Sequence, residues 1–148
     1  MSHIGVSSTQ IKQSPWNHRS LTYWLTASIS LGLIILGING FIQPEPAIRA
    51  YGLSNPHDFD FDVVRVKAGR DLITGVLVAA LVIFRMKRSS IIACLIMGIG
   101  IPTIDTIIVL NQRDSNIIDA WPHLVAIAYI LIICFLFFRE RRIEKNEE

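Results

Sequence analysis

Apolar and polar residues fall along this chain in long blocks and not in the short alternation of half-buried strands. Four stretches, Leu21 to Ile42, Val66 to Phe84, Ile91 to Leu110 and Ile117 to Phe138, are dominated by Leu, Ile, Val, Ala and Phe. Each approaches the roughly 20 residues that a helix needs to cross a hydrocarbon core of about 30 Å. A segment in lipid must satisfy its own backbone groups, so such runs predict helices, and the alternation of a transmembrane barrel strand is missing. The expected fold is all-α: a four-span transmembrane helical bundle over residues 21–138. A flexible polar arm, residues 1–20, precedes it and a charged tail, residues 139–148, follows it. The second run carries charges at its start, and the fourth opens close to Asp119.

Cationic residues then orient the bundle. Lys12 and Arg19 precede the first run, Arg85, Lys87 and Arg88 join the second to the third, and Arg139, Arg141, Arg142 and Lys145 follow the fourth. Lys and Arg concentrate on the cytoplasmic side of membrane proteins, which places both termini inside. The opposite side receives the Gln43 to Arg65 loop, with Asp58, Asp60 and Asp62, and the short Asn111 to Asn116 turn. No small-residue cleavage motif follows the first run, so it reads as an anchor and not a removable signal.

Composition agrees with this class and narrows the chemistry. The chain has 148 residues, 51% of them hydrophobic and 18% charged, and a mean hydropathy of +0.46. Its net charge of +2 comes largely from the clusters that set topology, which also suit contact with anionic lipid. The basic residues line no soluble face, so nucleic acid is not an expected partner. The sequence holds no Gly-rich phosphate loop, metal-ligand spacing, nucleophile elbow or fixed repeat, and neither a metal nor a cofactor is expected. Cys94 and Cys134 lie within predicted spans and outside any Cys-x-x-Cys motif, and they read as small packing residues. A disulfide between them needs the two α-carbons within about 7 Å.

Against this apolar background Asp105 stands out, deep within the third run. An aspartate at mid-membrane costs about 2.5–3.5 kcal/mol on insertion scales, and such residues face a bundle interior. With a rise of 1.5 Å per residue, Asp71 in the second span, Asp105 in the third and His123 in the fourth all fall about 8 Å from the outer boundary. Lys67, Arg70, Asp71 and Thr74 follow i, i+3, i+4 and i+7 spacing and form one polar stripe that must face protein. Gly98, Pro102 and Asp105 share a face, leaving room beside the carboxylate, and Pro102 frees a carbonyl. Asp119 and His123 stand at i and i+4, and Trp121 suits the membrane interface.

A purely structural reading is available for each of these residues. Arg70 pairs with Asp71 or Asp105, Lys67 snorkels outward, Asp71 complements a helix dipole, and His123 is a satisfied core histidine. Several ionisable groups at one depth favour a functional pocket instead.

The series Pro46, Ala47, Tyr51, Gly52 and Leu53, then Lys67, Gly69, Arg70, Asp71 and Gly75, then Pro102, Asp105 and His123, resembles the domain-of-unknown-function 4267 family of small four-helix membrane proteins. Fungal relatives occur in natural-product pathways, which implies isomerase or cyclase roles on lipophilic intermediates such as an epoxide or a terpenoid; many bacterial relatives have no assigned role. What the resemblance carries over is Arg70, Asp71, Asp105 and His123, with Lys67 and Tyr51.

The functional expectation is a cofactor-independent isomerase or cyclase that takes a lipophilic small molecule from the bilayer. Asp105, with Asp71 as the second candidate, donates a proton from a carboxyl kept neutral in a low-dielectric bundle. His123 accepts or relays one, and Arg70 orients a carboxylate or steadies developing negative charge. Lys67, Tyr51 and Trp121 complete the substrate contacts. The rival is a non-catalytic accessory or transport protein whose charges lock the helices. Gly32, Gly37 and Gly40 give the first span a close-packing surface, which leaves a homo-oligomer open. Endoplasmic reticulum and bacterial inner membrane are both compatible locations.

Overall fold

The computed structural model describes residues 18, 20–53, 61–112 and 116–146, and all regular structure among them is helical. The chain runs α1 (Leu21–Ile42), α2 (Pro44–Ala50), α3 (Phe61–Ile83), α4 (Arg88–Gly98), α5 (Gly100–Leu110) and α6 (Trp121–Asn146). Three helices are long and apolar enough to cross a membrane: α1, the α4–α5 pair taken together, and the Trp121–Glu140 part of α6. They make this a membrane protein. α3 matches them in length, but Asp62, Arg65, Lys67, Arg70 and Asp71 along its first half set it apart. The outward faces carry large apolar side chains, among them Trp24, Ile42, Ile73, Ile83 and Phe135, as a lipid-facing surface requires.

Several boundaries differ from expectation, each for a physical reason. The loop expected from Gln43 to Arg65 contains α2, whose start is fixed by Pro44 at the first helical position. α3 begins five residues before the apolar run does, because Asp62 suits the positive end of a helix and pairs with Arg65 at 3.0 Å. The third run is broken at Ile99. Pro102 has no N–H for the Gly98 carbonyl, and the ladder resumes where the Thr103 N–H donates to the Ile99 carbonyl. α6 starts only at Trp121, since Asp119 is held in a turn by accepting from the Asn116 N–H at 2.7 Å. Asp119 and His123 therefore do not share a helix face. α6 also continues through the expected tail to Asn146. Apart from residues 18 and 20, the expected N-terminal arm lies outside the described residues, and so do Asp58 and Asp60.

α1 and α3 pack closest. A Cβ on Gly37 would stand 2.7 Å from the Leu72 nitrogen and 2.8 Å from the Ala68 carbonyl oxygen, and one on Gly75 would stand 2.9 Å from the backbone of Ile34 and Ser30. Ser30 Oγ crosses the same seam to donate to the Gly75 carbonyl at 2.8 Å. Of the close-packing surface expected on α1, Gly37 and Gly40 are thus used within the chain, whereas Gly32 faces open space. The α4–α5 pair packs on α6.

At one end, Val82, Ile91, Ile92, Leu95, Ile130, Ile133, Cys134 and Phe137 form a dry core. There Ser20 and Thr22 donate to Glu140, which ties the start of α1 to the far part of α6. Cys94 and Cys134 are both free. At the other end, α2 packs through Ala47, Ile48 and Tyr51 on Val64 of α3. The chain leaves α2 at Gly52, whose φ of +72° and contact with the Asp119 carbonyl exclude any side chain.

The seam yields a paired prediction. Gly37→Ala forces backbone apart and should lower stability by about 1–3 kcal/mol. Gly32→Ala meets open space and should raise it by up to about 1 kcal/mol through helix propensity. Thermal unfolding in detergent checks both signs.

Candidate functional site

Between the α1–α3 pair and the α4–α6 helices lies a cavity of about 380 Å³, within the range that takes a drug-sized molecule. Its walls are mostly apolar, with Leu33, Leu36, Val78, Leu95 and Ile101 among them, and its ionisable carboxyl and imidazole groups gather toward the α2 end. Tyr51, Asp71, Asp105 and His123 line it there, and Gly98 and Pro102 line it beside Asp105, on the face their spacing gave them.

The stripe on α3 supplies two cations. Because α3 starts early, Asp71 lies about 15 Å along the helix, with the stripe in its middle turns and not at its end. Asp71 therefore has no part in the helix dipole. Arg70 donates through Nε and Nη2 to Asp71 Oδ1, at 3.1 and 2.9 Å, and through Nη1 and Nη2 to the two oxygens of Asp105, at 3.3 and 2.9 Å. Lys67 Nζ reaches Asp105 Oδ1 at 3.0 Å and sits 4.5 Å from the centre of the Tyr51 ring. Lys67 therefore points inward and does not snorkel. Two cations and two carboxylates sum to zero, which limits the cost of placing them in a poorly solvated interior.

Both Asp105 oxygens accept from Lys and Arg, which hold donors and no acceptor. This is the geometry of an ionised carboxyl. The proton-donor role expected for Asp105 does not fit it, and Asp105 serves instead as the anchor that joins α5 to α3. Asp71 differs: Oδ1 takes both bonds from Arg70, and the Tyr51 phenol is its other polar neighbour.

His123, 7% exposed, is held by a group with no side-chain signature. Its Nε2 lies 3.1 Å from the Tyr51 carbonyl, which can only accept, so that nitrogen carries a hydrogen. In the neutral ring the lone pair then belongs to Nδ1, 3.8 Å from Asp105 Oδ2. Tyr51 thus serves twice, through its backbone for His123 and through its ring for Lys67. Its buried hydroxyl, close to Gly40, makes no hydrogen bond among the described residues. Burial and the nearby Asp71 charge raise its pKa, keeping the phenol neutral.

Arg70 and Lys67 touch the site's carboxylates without lining the cavity, and Trp121 stands apart from it, 64% exposed at the start of α6. Thr74 lines the wall but spends its hydroxyl on the Arg70 carbonyl at 2.7 Å. Thr103 and Thr106, which flank Asp105 on α5, donate to carbonyls of their own helix region. Gly32, Ser28 and Tyr129 also line the cavity. Nothing in the sequence singled out Ser28 and Tyr129, although Tyr129 lies close to the helical face set by His123, Ala126 and Ile130. Among the described residues no cluster of His, Cys, Asp and Glu is arranged to hold a metal ion.

Fold and site together define a helical membrane protein with a charge-balanced cluster at one end of an interhelical cavity. The family described as a domain of unknown function (DUF4267) matches residues 30–137, and the chain belongs to it. No curated protein and no solved structure matches the chain. The matched region contains the whole charged cluster together with Tyr51 and His123.

Removing one partner from this cluster strands the others. Asp105→Asn should destabilise the fold by about 3–5 kcal/mol, the typical result of breaking a buried pair. Adding Lys67→Met restores charge balance and should recover part of the loss, which the thermal midpoints of single and double variants will show.

Proposed function

We propose that the chain is a four-span membrane protein whose cavity binds a lipophilic small molecule and moves a proton on it, as a cofactor-independent isomerase or cyclase does. The observation that carries this reading is an acceptor without a donor, His123 Nδ1, beside the Asp71 carboxylate on the wall of a mostly apolar cavity. In such a site a base meets its substrate with little competing water. An isomerisation or cyclisation of this kind takes a proton from one atom and returns one elsewhere, so it needs no external oxidant or reductant. Asp71 or His123 takes the proton, and the imidazolium then formed faces Asp105 at 3.8 Å, which stabilises it. Arg70 and Lys67 hold Asp105 ionised and in place.

α3 is the fourth span in this reading, its charges turned toward protein by the cluster they form. Both termini are cytoplasmic. The start of α1, the α3–α4 turn with Arg85, Lys87 and Arg88, and the far part of α6 with Arg139 and Arg142 share one end of the bundle, as the dry core and the Glu140 clamp indicate. A reporter fused after Glu148 should be accessible from the cytoplasm alone; exposure on the opposite side would reverse the orientation.

A second reading has its own support in the closed pairing of Lys67, Arg70, Asp71 and Asp105. A lock of this kind suits an accessory or transport protein without catalysis.

His123→Gln separates the two, because the amide can still donate to the Tyr51 carbonyl but offers no base. Purified protein in nanodiscs and deuterated water, given a panel of lipophilic enones and epoxides, should form isomers carrying deuterium. Loss of a general base typically costs about 10²–10⁴ in rate. A folded His123→Gln protein that matched the parent would remove His123 from the chemistry, and a parent inert across the panel would favour the lock.

A further inference from the structure

The cavity has a second polar station. Beyond its apolar middle, the Tyr129 hydroxyl of α6 lies 2.7 Å from Ser28 Oγ of α1, and both residues line the same space as Asp71 and His123. The hydrogens in this pair can be traced. Ser28 donates to the Leu25 carbonyl at 2.9 Å, so the short contact is filled by the Tyr129 hydrogen pointing at Ser28 Oγ; Tyr129 is farther from the Leu25 carbonyl, at 3.4 Å. Tyr129 has then used its one hydrogen, and its oxygen accepts from no described residue. The pair is uncharged and partly exposed on the cavity wall, which limits the cost of its polarity within an apolar helix surface. Gly32 of α1 and Gly98 of α4 widen the space between the two stations, since a Cβ at either would touch nothing.

We propose that the ligand is two-headed: an elongated apolar molecule whose reacting end meets Asp71 and His123 and whose far end carries a hydroxyl that donates to the Ser28–Tyr129 pair. This deepens, and rests on, the reading of the cavity as a ligand site. Both stations present acceptors, so both ends of the ligand present hydrogen. Tyr129 follows His123 by six residues on one helix, a separation of about 9 Å, or about six to eight methylenes of extended chain. Ser28 and Tyr129 set substrate choice and do not touch the reacting atoms.

The test uses the full chain with Cys134→Ala, which leaves Cys94 on the cavity wall as the single thiol. Alkylation of Cys94 by a membrane-permeant maleimide is followed in nanodiscs containing 1-octanol or 1,8-octanediol at equal bilayer mole fraction, with Gly98→Leu as the control that fills the space by substitution. The diol should protect Cys94 at a mole fraction at least fivefold lower than the mono-alcohol. Tyr129→Phe and Ser28→Ala should each erase that advantage in protein whose gel-filtration profile matches the parent. Equal protection by the two alcohols, or a diol advantage that survives both substitutions, overturns the second station and leaves the ligand cavity standing. Failure of both alcohols to protect while Gly98→Leu does so overturns the cavity reading itself.

Discussion

The organisation of this protein depends on one carboxylate meeting two cations across a gap. Asp105 is short and fixed to α5, whereas Lys67 and Arg70 extend long side chains from α3, so the ion pairs form while the two backbones stay apart. Pairs of small residues in the same positions would draw the helices together, as they do elsewhere in the bundle. Within a low-dielectric interior the partners cannot separate without stranding a charge, and the spacing is enforced by the same electrostatics that makes it tolerable. Asp71 completes the balance by accepting from Arg70 Nε and Nη2, and the cluster is neutral as a unit.

The opposite flank of α3 follows the reverse rule. Ala68, Leu72 and Gly75 meet Gly37, Gly40 and Ile34 of α1 with no room for another methyl. One helix therefore has a tight face against α1 and a propped face toward α5, and the cavity lies on the propped side. The break at Ile99 adds to the space, because Gly98 and Pro102 present little bulk where the α4–α5 pair passes Asp105. Packing sets the position of α3, and charge sets its distance from the other helices.

Much of this was legible in the sequence because lipid imposes strict constraints. Run length identified α1, the α4–α5 pair and α6, and helical spacing put Lys67, Arg70 and Asp71 on one side, with Gly98, Pro102 and Asp105 together on another. The depth of Asp105 marked it as inward-facing. What remained hidden depended on contacts with no side-chain signature or on partner choice. The carbonyl of Tyr51 holds His123, and any residue has a carbonyl. The early start of α3 and the late start of α6 arise from Asp62 and Asp119, whose local pairs move a helix end without altering the apolar pattern. Ser28 and Tyr129 escaped notice because single hydroxyls are common in apolar helices, and only their proximity across the bundle gives them meaning. Asp105 was prominent in the sequence by its depth, but spacing reveals that a carboxylate faces inward without revealing how many cations await it.

That distinction decides how one cluster can serve both stability and chemistry. A carboxyl that must hold two helices needs its oxygens filled by donors, while a base needs a lone pair open to its substrate. These demands conflict on a single residue and are divided here among three. Asp105 has both oxygens engaged, Asp71 has Oδ1 engaged by Arg70, and His123 has Nε2 engaged and Nδ1 open. The engaged atoms fix the orientation of each group, so Asp71 gains direction from Arg70 and His123 from the Tyr51 carbonyl. A helix lock with no further role has no need of an open acceptor beside a cavity, since it adds desolvation cost without adding a bond. An open acceptor beside apolar walls is what favours the proposed reactive site over a structural network built with the same residue types.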